Sequence, residues 1–270
     1  MNIASVSTKT TCYRCTNGTV TTTTTCDTCK GNRHVEISPP KIISFSATKV
    51  TLLKVEGYEY SKDGVVWQSS NVFTELSPAT TYTFYQRLAG SETIPFGFPS
   101  EATTQKTDKA DATNVPQQPA VFSVTGSSVT LVEVDGCEYS IDGINWQASP
   151  TFTGLDVITT YTFYLRYAES ATTYASAKSE VLYVTTDKGT QTAPGIPVLE
   201  SKTSTSVTLV GYAGYEYSID GVTWQTSNVF EGLDASTNYI FYQRKAETDV
   251  YYASSESDGL TVRTEASSAT

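Results

Sequence analysis

Histidine occurs once in the 270 residues, at position 34, and methionine once, at position 1. A single histidine leaves no Ser-His-Asp or Cys-His pair in the rest of the chain, so nucleophilic catalysis of that kind is excluded. No glycine-rich phosphate loop or dinucleotide fingerprint is present either. Charged residues make up only 17% and sum to −10, a balance that argues against a nucleic-acid partner. No apolar run approaches the ~20 residues of a membrane span. Met1 to Ser7 lacks a basic stretch followed by an apolar one, and Thr264 to Thr270 carries no hydrophobic tail. The expectation is a soluble, non-enzymatic protein without a secretory signal.

What the chain has is a phrase said three times. Gly57-Tyr58-Glu59-Tyr60-Ser61-Lys62-Asp63-Gly64 returns at Gly136 to Gly143 and again at Gly214 to Gly221. Each copy runs on into Trp-Gln, with Trp67, Trp146 and Trp224 spaced 79 and 78 residues apart. A fixed period of that length fits a small domain plus its linker and is too long for a solenoid unit. Between the copies, Thr107-Asp108-Lys109 leads to a stretch ending in Pro119, and Thr186-Asp187-Lys188-Gly189 to one ending in Pro197. Closely spaced prolines make such connectors semi-rigid. The expected domains are a head at 1–38, modules at 39–107, 119–187 and 197–264, linkers at 108–118 and 188–196, and a tail at 265–270.

Within the third copy, Ser206 to Val210 and Tyr215 to Ser218 alternate apolar with polar, the pattern of half-buried strands. Asp220-Gly221 predicts a hairpin turn, with Val222-Thr223-Trp224 as the returning strand. Asn238 to Arg244 and Gly259 to Thr264 follow as strands. Six or seven short strands per copy predict an all-β chain of small antiparallel sandwiches. By strand parity, Glu59, Glu138 and Glu216 fall on the polar face as solvated carboxylates. No copy supplies the second carboxylate that glycoside hydrolysis requires.

Leu76-x-Pro78-x-Thr80-x-Tyr82-x-Phe84 resembles the segment between the fifth and sixth strands of fibronectin type III domains. Leu155, Thr159, Tyr161 and Phe163 repeat it, as do Leu233, Thr237, Tyr239 and Phe241. The resemblance implies a tyrosine corner at Tyr82, Tyr161 and Tyr239, each hydroxyl bonding to nearby backbone. The tryptophan usual after that family's second strand is missing. Trp67, Trp146 and Trp224 are expected to supply the large core ring instead. A generic immunoglobulin-like sandwich is the broader alternative.

The head carries Cys12, Cys15, Cys26 and Cys29 in the spacing C-x2-C-x10-C-x2-C. Four thiolates so placed can close tetrahedrally on a structural Zn2+. The alternative, two disulfides, requires an oxidising compartment. Cys29-Lys30-Gly31 faintly resembles the repeat of DnaJ-type zinc modules, and with two hooks the reading is a short zinc ribbon. His34 is a bystander or a substitute ligand. The fifth cysteine, Cys137, stands where the other copies have Tyr58 and Tyr215 and reads as buried and inert. Residues 1–41 sum to +3, so a basic head precedes an acidic array.

The copies differ most after the long strand. Phe96 and Phe98 in the first, Tyr174 in the second, and Tyr251 and Tyr252 in the third are candidate contact residues or end caps. The whole arrangement is similar to bacteriophage virion decoration and fibre proteins, in which immunoglobulin-like and fibronectin-like modules recur. That resemblance implies assembly in the host cytoplasm, a head docked on capsid or tail proteins, and an array projecting toward host-surface glycans. The other class implied is a spacer or glycan-binding array at a bacterial cell surface. Elemental analysis is expected to find about one zinc per chain, and intact disulfides in the native protein would overturn the zinc reading.

Overall fold

The computed structural model describes residues 37–90 and 97–267, together with two short strands nearer the start, β1 (Thr10–Thr11) and β2 (Thr19–Val20). These two pair antiparallel, Thr10 opposite Val20. Cys12, Cys15, Cys26, Cys29, His34 and Phe96 lie outside the described residues. Every regular element among the described residues is a strand. The chain divides into two compact units, Met1–Asn114 with Ala168–Ala177, and Val115–Tyr167 with Lys178–Thr270.

The first unit holds β3 (Ile42–Phe45), β4 (Val50–Leu52), β5 (Tyr58–Ser61), β6 (Val72–Phe73), β7 (Thr81–Leu88) and β8 (Thr103–Lys106). They form two antiparallel sheets, β3-β4-β6 and β5-β7-β8. The second unit repeats this order twice. Its first sandwich has β9 (Val121–Val124), β10 (Ser128–Leu131), β11 (Cys137–Ser140), β12 (Thr151–Thr153), β13 (Thr160–Tyr167) and β14 (Leu182–Thr185). Its second has β15 (Leu199–Lys202), β16 (Ser206–Leu209), β17 (Tyr215–Ser218), β18 (Val229–Glu231), β19 (Asn238–Lys245) and β20 (Leu260–Arg263). The sheets are β9-β10-β12 with β11-β13-β14, and β15-β16-β18 with β17-β19-β20. This is the two-sheet order of an immunoglobulin-like sandwich, present three times.

Alternation decides what enters each core. Val50 and Leu52 on β4 point inward and are fully buried, while Thr51 between them faces out. Phe73 meets Phe84 at 5.0 Å between ring centroids, and Phe152–Phe163 and Phe230–Phe241 repeat the pair at 5.1 and 4.9 Å. The largest ring in each centre is a tyrosine, Tyr60, Tyr139 or Tyr217. The Tyr60 hydroxyl accepts from the Val55 amide at 2.6 Å and donates to the Leu53 carbonyl at 3.2 Å. Tyr139 accepts from Val134 at 2.6 Å, and Tyr217 from Tyr212 at 2.7 Å. The same side chain thus fills the core and satisfies a backbone donor where the chain crosses between sheets.

A second lock sits at the corner before the long strand. The Tyr82, Tyr161 and Tyr239 hydroxyls accept from the amides of Ser77, Asp156 and Asp234 at 2.8, 3.0 and 2.9 Å. Beside them, the buried hydroxyls of Thr107, Thr186 and Thr264 donate to the carbonyls of the same three residues at 2.7, 2.6 and 2.6 Å. Each threonine also accepts from the amide of Thr80, Thr159 or Thr237, at 3.0, 2.9 and 3.0 Å. The corner turns through a left-handed residue, Ala79, Ile158 or Ser236, at φ 50, 50 and 51°. Ile158 is the strained member, since a β-branched side chain is disfavoured there.

Two strands of the third copy, β15 and β18, escape sequence reading. Every residue of β15 is exposed, so no alternation marks it, and β18 is only three residues long. The expected strand Val222-Thr223-Trp224 is corrected: the segment is a turn, and only an isolated bridge, Tyr217 to Gln225, returns to the sheet. Tyr217→Phe is expected to lower the stability of its module by about 1 to 3 kcal/mol in urea unfolding, by stranding the Tyr212 amide. An unchanged midpoint would show the hydroxyl to be dispensable.

Candidate functional site

The recurring side-chain constellation lies on the outer face of each three-stranded sheet that carries the long strand. Glu59 on β5 stands directly opposite Arg87 on β7. Arg87 donates through Nε and Nη2 to Glu59 Oε2 at 3.1 and 3.0 Å, and its guanidinium stacks over the Trp67 ring, 4.2 Å from the centroid. Glu138, Arg166 and Trp146 repeat the arrangement, with both bonds at 2.9 Å and stacking at 4.3 Å. Glu216, Arg244 and Trp224 do so again, at 2.8 and 4.3 Å.

Two expectations change here. Trp67, Trp146 and Trp224 are half-buried against arginine on the outer face and belong to none of the buried clusters, because a central tyrosine already occupies each core. The three glutamates are on the outer face as parity requires, yet they are ion-paired and partly covered rather than freely solvated. A cross-strand ion pair contributes roughly 0.2–1 kcal/mol. The stacked guanidinium adds about 0.5–1 kcal/mol. Arginine at the outward position opposite each glutamate was the signal that could have found this cluster.

The Asp-Gly turn follows at once. Ser218 is fully buried and donates to Asp220 Oδ1 at 2.9 Å, while its oxygen accepts from the Gly221 amide at 2.9 Å. Asp220 Oδ1 then accepts the amides of Val222 and Thr223 at 2.8 and 2.6 Å. Ser61 with Asp63 and Ser140 with Asp142 build the same turn. The glycine must be there, since φ is +72 to +74° in all three copies. An aliphatic side chain is held at each tip, where Val65, Ile144 and Val222 are 79, 78 and 81% exposed, and the first copy exposes Val66 beside it. The amides of Val65 and Val66 hold the Asp63 carboxyl below its usual range. Those of Ile144 and Asn145 hold Asp142, and those of Thr223 and Val222 hold Asp220, well below it.

The candidate contact residues fall in two places. Phe98 is exposed and belongs to the first module, next to residues outside the description. Tyr174, Tyr251 and Tyr252 are also exposed, but their backbone is engaged: Tyr174 donates to Ala110 and Tyr252 to Gly189, both at 2.9 Å. The acceptors are the linker residues Ala110 and Gly189, each preceded by a lysine, Lys109 or Lys188, that the sequence marks only as a linker opening. Cys137 is buried and unbridged, and burial, reinforced by the Asp135 charge, pushes its thiol up and keeps it protonated. Among the described residues no group of three or more His, Cys, Asp or Glu could hold a metal ion, and no helix is long and apolar enough to cross a membrane.

No family model matches the chain, and no curated protein matches it. Among solved structures, the crystal structure of chicken CNTN1 FN1–FN3 domains is similar over 85% of this chain and 100% of that one, at 16% identity and a TM-score of 0.27. The assignment as tandem immunoglobulin-like sandwiches rests on this chain's own strand order and corner geometry.

The three aspartates yield a pH dependence of definite sign. Their folded pKa lies below the unfolded value, so their contribution is complete above about pH 4 and is lost as pH falls through the folded value. Replacing Asp220 with Asn is expected to flatten the acid limb of the stability curve for its module. Carboxyl-carbon NMR should place all three titrations below those of exposed aspartates; ordinary midpoints would contradict the turn geometry.

Proposed function

We propose that the chain is a non-enzymatic structural component of a bacteriophage particle, a head decoration, head fibre or tail accessory protein. In this reading residues 1–38 form a zinc-held anchor on a capsid or tail protein, and the sandwiches display themselves outward. The observation that carries it is that the central tyrosine, corner tyrosine, buried threonine, Ser-Asp turn and Glu-Arg-Trp stack recur one for one in three modules. What is repeated so closely is self-satisfied architecture, and the copies differ most in the loops after the long strand. That is the division of labour of a spacer. Four thiolates held reduced around zinc suit assembly in a host cytoplasm.

A second reading, a cell-surface array binding glycans, is favoured by the exposed rings of Tyr174, Tyr251 and Tyr252. Deleting residues 1–38 is expected to abolish incorporation into particles while leaving the sandwiches folded, as judged by circular dichroism and particle pull-down. Normal incorporation of the truncated chain would overturn the anchoring role. Glycan-array binding that disappears on mutating those tyrosines would move the assignment to the second reading.

A further inference from the structure

The linker residues and the variable loops meet in a contact that neither the modules nor the spacer reading requires. In the second unit, Gly189 pairs in parallel with Tyr251. The Gly189 amide donates to the Val250 carbonyl at 2.8 Å, and the Tyr252 amide donates to the Gly189 carbonyl at 2.9 Å. Lys188 Nζ reaches across to Glu247 Oε1 at 2.6 Å and the Thr248 carbonyl at 2.8 Å. Gln191 Nε2 donates to the carbonyls of Ala246 and Tyr252 at 3.0 and 2.9 Å. The receiving loop is pre-shaped, with the Thr248 amide donating to the Tyr251 carbonyl at 2.9 Å and the Tyr251 amide to Thr248 Oγ1 at 3.0 Å.

Within the first unit, Lys109 and Ala110 meet the loop Glu169–Tyr174 in the same way. Ala110 pairs in parallel with Thr173, its amide donates to the Thr172 carbonyl at 2.9 Å, and its carbonyl accepts from Tyr174 at 2.9 Å. Lys109 Nζ bonds Glu169 Oε1 at 2.6 Å and the Ser170 carbonyl at 2.5 Å. The first contact lacks the Gln191 bonds, having Ala112 at that position, and the two also differ in one facing pair whose difference is complementary. A Cβ on Gly189 would lie 2.6 Å from Cε1 of Tyr251, a distance no real side chain shows. Where the loop residue is the small Thr173, the linker residue is Ala110 and carries a Cβ. Glycine is present where the ring lies, and alanine where it does not.

We propose that the loop after the long strand is a docking surface whose partner is the linker of the preceding module. It is recognised by a Lys-Ala or Lys-Gly dipeptide through a parallel backbone bridge and a lysine–glutamate pair. The Lys188-Gly189 linker is therefore a structured clasp, and the second and third sandwiches unfold as coupled bodies rather than as independent beads. The inference holds whatever the array carries.

The test uses the full chain and trypsin, because Lys188-Gly189 is itself a tryptic bond. Held in a bridge, that bond is expected to be cut at least about tenfold more slowly in the native chain than in the urea-unfolded chain. Gly189→Ala should raise the native rate about tenfold, while Gly189→Ala combined with Tyr251→Thr, which recreates the Ala110–Thr173 pair, should return it toward wild type. Hydrogen exchange in the unmodified chain should show the Gly189 and Tyr252 amides protected. Cleavage at the unfolded rate in the wild-type chain, unprotected amides, or equal rates for the single and double variants would each overturn the proposal.

Discussion

In each module a tyrosine hydroxyl at the centre of the sandwich captures a backbone amide at the crossing between sheets, and the remaining packing is arranged around that capture. Tyr60, Tyr139 and Tyr217 are almost completely buried, yet each hydroxyl finds an amide within 2.6 to 2.7 Å. A module of some seventy residues has little interior, so an unsatisfied donor there would be a large fraction of its stability. Using the largest core ring as the cap for that donor meets both needs with one side chain. The phenylalanine pair of each module then packs beside it.

Once the centre is a tyrosine, the tryptophan has nowhere to go but out. It lies on the outer face under an arginine that is itself fixed by the glutamate opposite in the ladder. The Ser-Asp turn delivers the chain to that position and leaves an aliphatic side chain at each tip. The threonine at the end of each module ties the last strand to the tyrosine corner. After the first and second modules the next residues pass directly into the clasp. Core, turn and corner thus carry corresponding hydrogen bonds in all three copies.

Much of this was legible in the chain. The period, the long strand, the Tyr-Glu-Tyr-Ser strand and the corner tyrosine could be read because strand alternation and the family-like Leu-x-Pro-x-Thr-x-Tyr segment are local patterns. The edge strand Leu199–Lys202 was not legible, since it is exposed throughout and owes its conformation to its neighbour. Asp220-Gly221 marks the turn in the sequence, but no strand continues from it. The aspartate's acceptance of the next two amides replaces the ladder bonds that a hairpin would have used.

Parity along a strand separates two faces but does not say which of two aromatic residues wins the interior. Composition and spacing by themselves determined an all-β, threefold, acidic array behind a four-cysteine head, because those features follow from residue type and order. Only the tertiary structure decided that tyrosine is inside and tryptophan outside, that the glutamates are paired, and that the linker lysines reach into the following loop. Each of those outcomes depends on partners distant in sequence: 28 residues separate Glu216 from Arg244, and 59 separate Lys188 from Glu247. No local pattern encodes a pairing at that separation, and the fold alone brings the groups within bonding distance.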